Sequence, residues 1–444
     1  MKKLVNYLCA ALLLAPLLST AQSAPYDMMI NGVKVIVKPS GNDIVVIQTI
    51  IKGGVQNYPA TKAGIESIAM TALTECGTLQ DDKNSFKNKL DKVSAQVYGY
   101  TMMDFASFNL NCIKSDLQTV WPLYTEALLT PKFDEKEFAR IKQDAINAIR
   151  DGESSPDNAI DKLARQTAFA GRNYSKDPQG TVEIMEKITA AETKKYWKSI
   201  LTKNKMVIIV VGDIDKANIE KMMKGLTAGI PAGAAFVSKK ESYVPAVNSF
   251  KPVARENATN YVQGIAGAPL PGSPDYNAYN LAMRIFSNKH FIEIRTKNGL
   301  SYAPGAWFSG GNTPYANLTV STTDPDKYIA VARALIDKVK TEGFTEAELK
   351  NEKMGYLTGI HYRNETNEAQ AASLANNEVV YGDWKRSIRI NEDIKKVTLQ
   401  QINAAFAKYM TNITWVYQGD VKKVTPALYT QKQTPSLPVE KKAF

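Results

Sequence analysis

Phe133-Asp134-Glu135-Lys136-Glu137 and Phe344-Thr345-Glu346-Ala347-Glu348 share the pattern Phe-x-Glu-x-Glu, displaced by 211 residues. The same displacement brings Lys142 onto Lys353, Leu163-Ala164 onto Leu374-Ala375, and Gly171 onto Gly382. At a nearby spacing, Val211-Gly212-Asp213 echoes Gln418-Gly419-Asp420, each after an apolar run. Matches that keep their order at a nearly constant offset mark two copies of one structural unit.

The first copy can be read outward from there. Val33, Val35 and Val37 alternate within Gly32–Lys38, and Ile44–Ile51 is a β-branched run, so both are strands. Pro39, Gly41 and Asn42 between them predict a hairpin. A helix follows over Lys62–Glu75, with Ile65, Ile68, Ala69, Ala72 and Leu73 at helical spacing and Gly77 as its stop. Phe105–Leu110 reads as a strand, Asp134–Arg150 and Asn158–Ala170 as helices, and Val207–Val211 as a buried strand ending in Gly212-Asp213-Ile214-Asp215. Glycine and proline then cluster from Gly225 to Pro252. Strands interleaved with paired helices predict mixed or antiparallel sheets with helices on one face, an α+β fold built as two homologous α/β sandwich domains in tandem. The expected boundaries are 25–225 for the first domain, 226–253 for a linker, 254–425 for the second domain and 426–444 for a basic tail.

Length and composition fit two or three domains, each with an ample core: 444 residues, 44% of them hydrophobic. Lys2 and Lys3, the apolar run Leu4–Leu18 and the small residues Ser19 and Ala21 read as a secretory leader, expected over 1–21. The run is too short for a stable membrane span, so no integral anchor is expected. The formal charge is +11, but no nucleic-acid recognition motif accompanies it. In an exported chain, basic charge serves solubility or attracts acidic peptides and anionic surfaces. Beyond the leader only Cys76 and Cys112 remain, and the sequence leaves open whether they pair or stay as buried thiols.

The duplicated order, the segment Arg295-Thr296-Lys297-Asn298-Gly299-Leu300-Ser301-Tyr302, the Gly212–Asp215 strand end and the helix running into Gly77-Thr78 together resemble the pitrilysin/insulinase family of zinc peptidases, which includes mitochondrial processing peptidase. The resemblance covers about residues 28–425 and implies the sandwich fold of that type. In active members the first helix carries H-x-x-E-H, in which two histidines on one helical face hold zinc and the glutamate acts as general base. Here, aligned on Gly77-Thr78, the motif positions are Ile68, Thr71 and Ala72; aligned on Gly64 they are Ser67, Met70 and Thr71. Neither register supplies a ligand. The downstream glutamate ligand would fall near Asn147 or Ala148, where no acid stands, and the only histidines, His290 and His361, lie in the second half. Glu66 and Glu75 are nine residues apart on nearly opposite helical faces, which reads as two solvated charges. No catalytic residue and no metal ligand is therefore assigned to this chain.

The resemblance implies a role for Arg295 and Tyr302. The matching arginine and tyrosine of the family face the zinc helix across a closed chamber, where they bind the substrate backbone and polarise the scissile carbonyl. A guanidinium and a phenol suit that work. The segment reads as a helix end, a glycine-assisted turn and a strand start, after a stretch Ile285–Phe291 that is shorter than in active relatives. His290 and His361 read as surface or packing residues. In two-chain members of the family, one subunit carries H-x-x-E-H and the other the arginine and tyrosine. The expected function is thus a non-catalytic, substrate-binding subunit of a periplasmic or otherwise exported peptidase, with zinc on a homologous partner chain and peptides as substrate. The alternatives are a stand-alone pseudopeptidase that binds or scaffolds peptides, and a hydrolase with a relocated mechanism, for which no nucleophile–base pair is evident.

Overall fold

The computed structural model describes residues 24–431. The expected leader and most of the basic tail lie outside them. The strands are β1 (Tyr26–Ile30), β2 (Val33–Pro39), β3 (Ile44–Lys52), β4 (Gln96–Thr101), β5 (Phe105–Ile113), β6 (Met206–Gly212), β7 (Ser249–Ala254), β8 (Asn260–Ala266), β9 (Gly305–Ser309), β10 (Tyr315–Thr322) and β11 (Ile413–Gly419). The helices of the first half are α1 (Ile65–Glu75), α2 (Lys83–Asp91), α3 (Leu117–Leu129), α4 (Glu135–Ser154), α5 (Pro156–Ala168), α6 (Val182–Lys187), α7 (Ala190–Ile200) and α8 (Lys216–Thr227). Those of the second half are α9 (Tyr276–Phe291), α10 (Pro325–Glu342), α11 (Glu346–Arg363), α12 (Asn367–Tyr381), α13 (Arg386–Lys396), α14 (Leu399–Tyr409) and α15 (Pro426–Thr430).

One sheet runs β1-β2-β6-β3-β5-β4 and the other β7-β11-β8-β10-β9. In each, one parallel pair (β2 with β6, β7 with β11) is followed by antiparallel neighbours. The second sheet therefore reproduces the first without β1. Gly212 and Gly419 end equivalent strands at the same φ of 155°, which explains why Gly-Asp recurs there. The duplication inferred from Phe-x-Glu-x-Glu is present: Asp134 and Thr345 cap the N-termini of α4 and α11.

The hairpin expected between β2 and β3 does not form, because β6 inserts between them. The hairpin lies one strand earlier, between β1 and β2, around Asn31-Gly32 at φ 49° and 85°. That dipeptide suits the left-handed positions of a two-residue turn. The buried run Met206–Gly212 is fully covered and pairs on both sides, which fits a central strand better than an edge. At the end of the glycine- and proline-rich stretch, Ser249–Ala254 forms edge strand β7, the position in which Pro252 is tolerated. α15 docks Tyr429 against Phe250, with ring centroids 4.0 Å apart.

Two helices are exchanged between the halves. α12 covers the outer face of the first sheet: Ala371, Leu374, Ala375 and Val379 pack with Ile36, Val46, Ile50, Val207 and Ile209. α5 does the same for the second sheet, where Ile160 and Ala164 join a core that includes Ile265 and Val416. The repeated pair Leu163-Ala164 and Leu374-Ala375 thus marks the contact each half gives to the other. Polar contacts fix the exchange. Asn367 accepts from the Ser40 hydroxyl at 2.9 Å and donates to the Ile44 carbonyl at 2.6 Å. Lys34 and Glu378 pair at 2.6 Å, and Gln263 donates to Asp161 at 3.1 Å.

Glu66 overturns its reading as a solvated charge. It is fully buried in the first turn of α1, accepting from the Tyr196 hydroxyl and, at 3.0 Å, from the Asn57 amide, while its Oε1 has no partner. Burial raises its pKa to about 7, against the pull of those hydrogen bonds and of Lys205. Glu75 is half-buried and ion-paired to Lys87 and Arg140.

Two outcomes follow. Leu374→Ala, a truncation at a site that is 2% exposed, should lower unfolding stability by about 2–5 kcal/mol. Amide exchange in β6 and β11 should quicken together, and acceleration confined to one sheet would contradict the exchange. For Glu66, the folded state holds a proton that the unfolded chain has lost between pH 4.5 and about 7, so stability falls as pH rises through that window. Glu66→Gln removes this slope, worth about 3 kcal/mol. In urea titrations the variant should gain on the natural protein from pH 5 to pH 8, and parallel pH profiles would refute it.

Candidate functional site

Arg295 lies in a π-helical turn, Ile292–Lys297, that continues α9. Such widened turns often re-aim side chains. Ile294 below it is fully buried, the Leu300 amide donates to the Ile294 carbonyl at 2.9 Å, and Gly299 turns the chain at φ 61°. The strand starts at Gly305, so Tyr302 stands in the loop before β9 rather than within it. Its ring is 80% exposed. The Arg295 guanidinium stacks 4.1 Å from the Tyr302 ring centroid and 5.1 Å from that of Phe291. Among the described residues Arg295 has no carboxylate partner. The structure thus brings the two residues together, a half-buried guanidinium against a largely exposed phenol.

The face of α1 resolves what the degenerate motif positions do. Ile68 and Ala72 are buried in the core of the first half, and Thr71 is exposed. Ser67 and Thr71, one helical turn apart, line a cavity of about 500 Å³ between α1, the edge strand β4, α4 and α5. The register aligned on Gly64 is therefore the one that puts both outer motif positions on the cavity. Serine and threonine there are poor transition-metal donors, and Met70 is fully buried. Among the described residues no group of three His, Cys, Asp or Glu side chains converges. Zinc does not fit this donor set.

Ion pairs line the same cavity instead. Lys162 pairs with Glu153 at 2.6 Å, and Arg165 with Asp161 at 3.0 Å and Asp177 at 3.7 Å. Every basic group there has a carboxylate. The sequence reading missed this network, although Asp161 and Arg165 stand at i,i+4 spacing on a predicted helix. Cys76 and Cys112 are separate, buried thiols, and burial pushes both up to about 12, which leaves them unreactive at neutral pH. His290 is a packing residue: fully buried, 3.2 Å from the Tyr328 hydroxyl, and lowered by burial to about 4. His361 lies exposed on α11. No helix among the described residues is long and apolar enough to cross a membrane.

Comparison with known proteins gives the same architecture. Residues 187–356 match the family model described as Peptidase M16 inactive domain. A Helicobacter pylori protein called "Non-peptidase homolog YmxG" is 22% identical over 90% of this chain and 95% of its own length. "Uncharacterized zinc protease YmxG" of Bacillus subtilis is 18% identical over 76% of this chain and 83% of that protein. Among solved structures, the peptidase M16 inactive domain from Pseudomonas fluorescens superposes with a TM-score of 0.80 at 18% identity, covering 89% of this chain and 98% of that one. The periplasmic protease PqqL from Escherichia coli superposes with a TM-score of 0.77 at 14% identity, over 89% of this chain but 45% of that chain. Residues 187–356 thus match the peptidase M16 inactive domain, and the repeated sandwich has the fold of the M16-type structures on which it superposes.

Proposed function

We propose that this chain is the non-catalytic, substrate-binding subunit of an exported heteromeric zinc peptidase. A homologous partner carrying H-x-x-E-H supplies the metal, the water and the general base, and this chain supplies Arg295 and Tyr302. One observation carries the reading: the Arg295–Tyr302 pair, with Tyr302 largely exposed, lines neither large cavity beside the exchanged helices, while the cavity beside α1 has its carboxylates committed to ion pairs and no histidine or cysteine in its lining. Among the described residues the guanidinium has no carboxylate and the phenol no hydrogen-bond partner. They suit a site completed by a second polypeptide, where a phenol can donate to a developing oxyanion. The match to less than half of PqqL agrees with a second unit of similar size. Export is supported by the leader expected over 1–21 and by the periplasmic setting in PqqL's description.

A stand-alone peptide-binding role is favoured by a different feature. Gly99–Thr101 of edge strand β4 border the cavity beside α1, and an open sheet edge can accept an extended peptide as an added strand.

The test is reconstitution with the homologous zinc-bearing chain from the same cell envelope. The pair should hydrolyse peptides that neither chain hydrolyses alone. Tyr302→Phe should lower kcat by about 10²-fold, and Arg295→Ala should weaken both kcat and KM. Full activity of the partner alone would overturn the assignment.

A further inference from the structure

The second half holds a counterpart of the cavity beside α1, and it has the opposite electrostatic character. It is about 430 Å³ and lies between α9, β9, α11, α12 and α13. The displacement of 211 residues maps the two linings onto each other: Ile149 onto Ile360, Gly152 onto Arg363, Lys162 onto Ser373 and Arg165 onto Asn376. From α1 and α9, Ser67 and Thr71 correspond to Tyr276 and Asn280, again one turn apart. The Glu153–Lys162 pair of the first cavity becomes Asn364 and Ser373 in the second.

No aspartate or glutamate lines this second cavity, but two arginines do. Arg386 is held in place by neutral groups. It stacks 4.2 Å from the Tyr381 ring centroid and donates to Asn277 at 2.6 Å and, at 3.4 Å, to Asn377. Arg363 is exposed and lies 5.6 Å from the Tyr356 ring. Among the described residues neither arginine has a carboxylate partner. Two guanidinium groups at one concave site, with amides and a serine beside them and no counter-charge, leave an anion's place open. Phe308, Ile360 and Ile390 supply apolar wall next to it.

We propose that this cavity binds the free C-terminal carboxylate of a peptide, with the last side chain against the apolar wall. The inference builds on the reading of the chain as a peptide-handling protein and extends it to a second, separate contact. Asn280 and Arg295 are 15 residues apart along α9 and its continuation, about 22 Å at helical rise. A peptide of modest length therefore spans the distance between the carboxylate site and the Arg295–Tyr302 pair.

The test uses the full mature chain and a small probe, N-acetyl-leucyl-phenylalanine, with its C-terminal amide as control, read by titration calorimetry or ligand-observed NMR. The acid should bind about ten-fold or more tightly than the amide. That advantage should vanish in Arg363→Gln, whose exposed side chain can be replaced without a change in Tm, and in Arg386→Gln. Arg363→Lys should retain part of it. Equal binding of acid and amide, or an advantage that survives the Arg363→Gln/Arg386→Gln double variant, would overturn the proposal. Equal competition by an amidated peptide with an internal glutamate would overturn the assignment to a chain terminus. These outcomes are independent of activity in the reconstituted pair, so this proposal and the partner reading can fail separately.

Discussion

α5 and its repeat α12 each close the sheet of the other half, and most of what the molecule does follows from that reciprocity. A sheet with two apolar faces needs two covers. Here one cover comes from the sheet's own half and the other from its copy, so Leu374 and Ala375 bury Ile36 and Ile209 as Ile160 and Ala164 meet Ile265 and Val416. Neither half can shed its partner without exposing a sheet face. The buried clasp around Asn367, Ser40 and Asn42 adds direction to an otherwise non-specific apolar contact.

The exchange also positions both cavities. Each is walled by an exchanged helix, by the long helix that precedes it, and by the helix at the motif position, α1 or α9. Starting from one duplicated scaffold, the two have diverged by charge. In the first, lysine and arginine are matched by Glu153, Asp161 and Asp177, which leaves little field for a ligand. In the second, two arginines face amides and aromatic rings. A half-buried charge is costly unless paired, so Arg386, kept without a carboxylate among the described residues, is a stronger pointer to a ligand than Arg165 with its two aspartates.

Much of this was legible in the sequence. The 211-residue repeat points to the duplicated α+β sandwich, which the two matching sheets display. Arg295 and Tyr302 could be singled out by resemblance, and they stand together. What the sequence hid was long-range. β6 separates β2 from β3 because strand order depends on contacts some 170 residues away in the chain, and Pro39, Gly41 and Asn42 put more turn residues between β2 and β3 than stand at Asn31-Gly32, where the hairpin forms. The burial of Glu66 was hidden for the same reason: its partner Tyr196 comes from α7. The second cavity was within reach, since the same displacement that revealed the repeat leads from Gly152 to Arg363.

Among the described residues α1 presents serine, threonine and apolar side chains at the motif positions, and under the proposed reading the zinc comes from a partner chain. The most direct measurement is zinc content by mass spectrometry of this chain purified alone and of its complex with the homologous zinc-bearing chain. The account predicts no stoichiometric zinc in the single chain and one zinc per pair in the complex. A full equivalent of zinc retained by this polypeptide alone would contradict it.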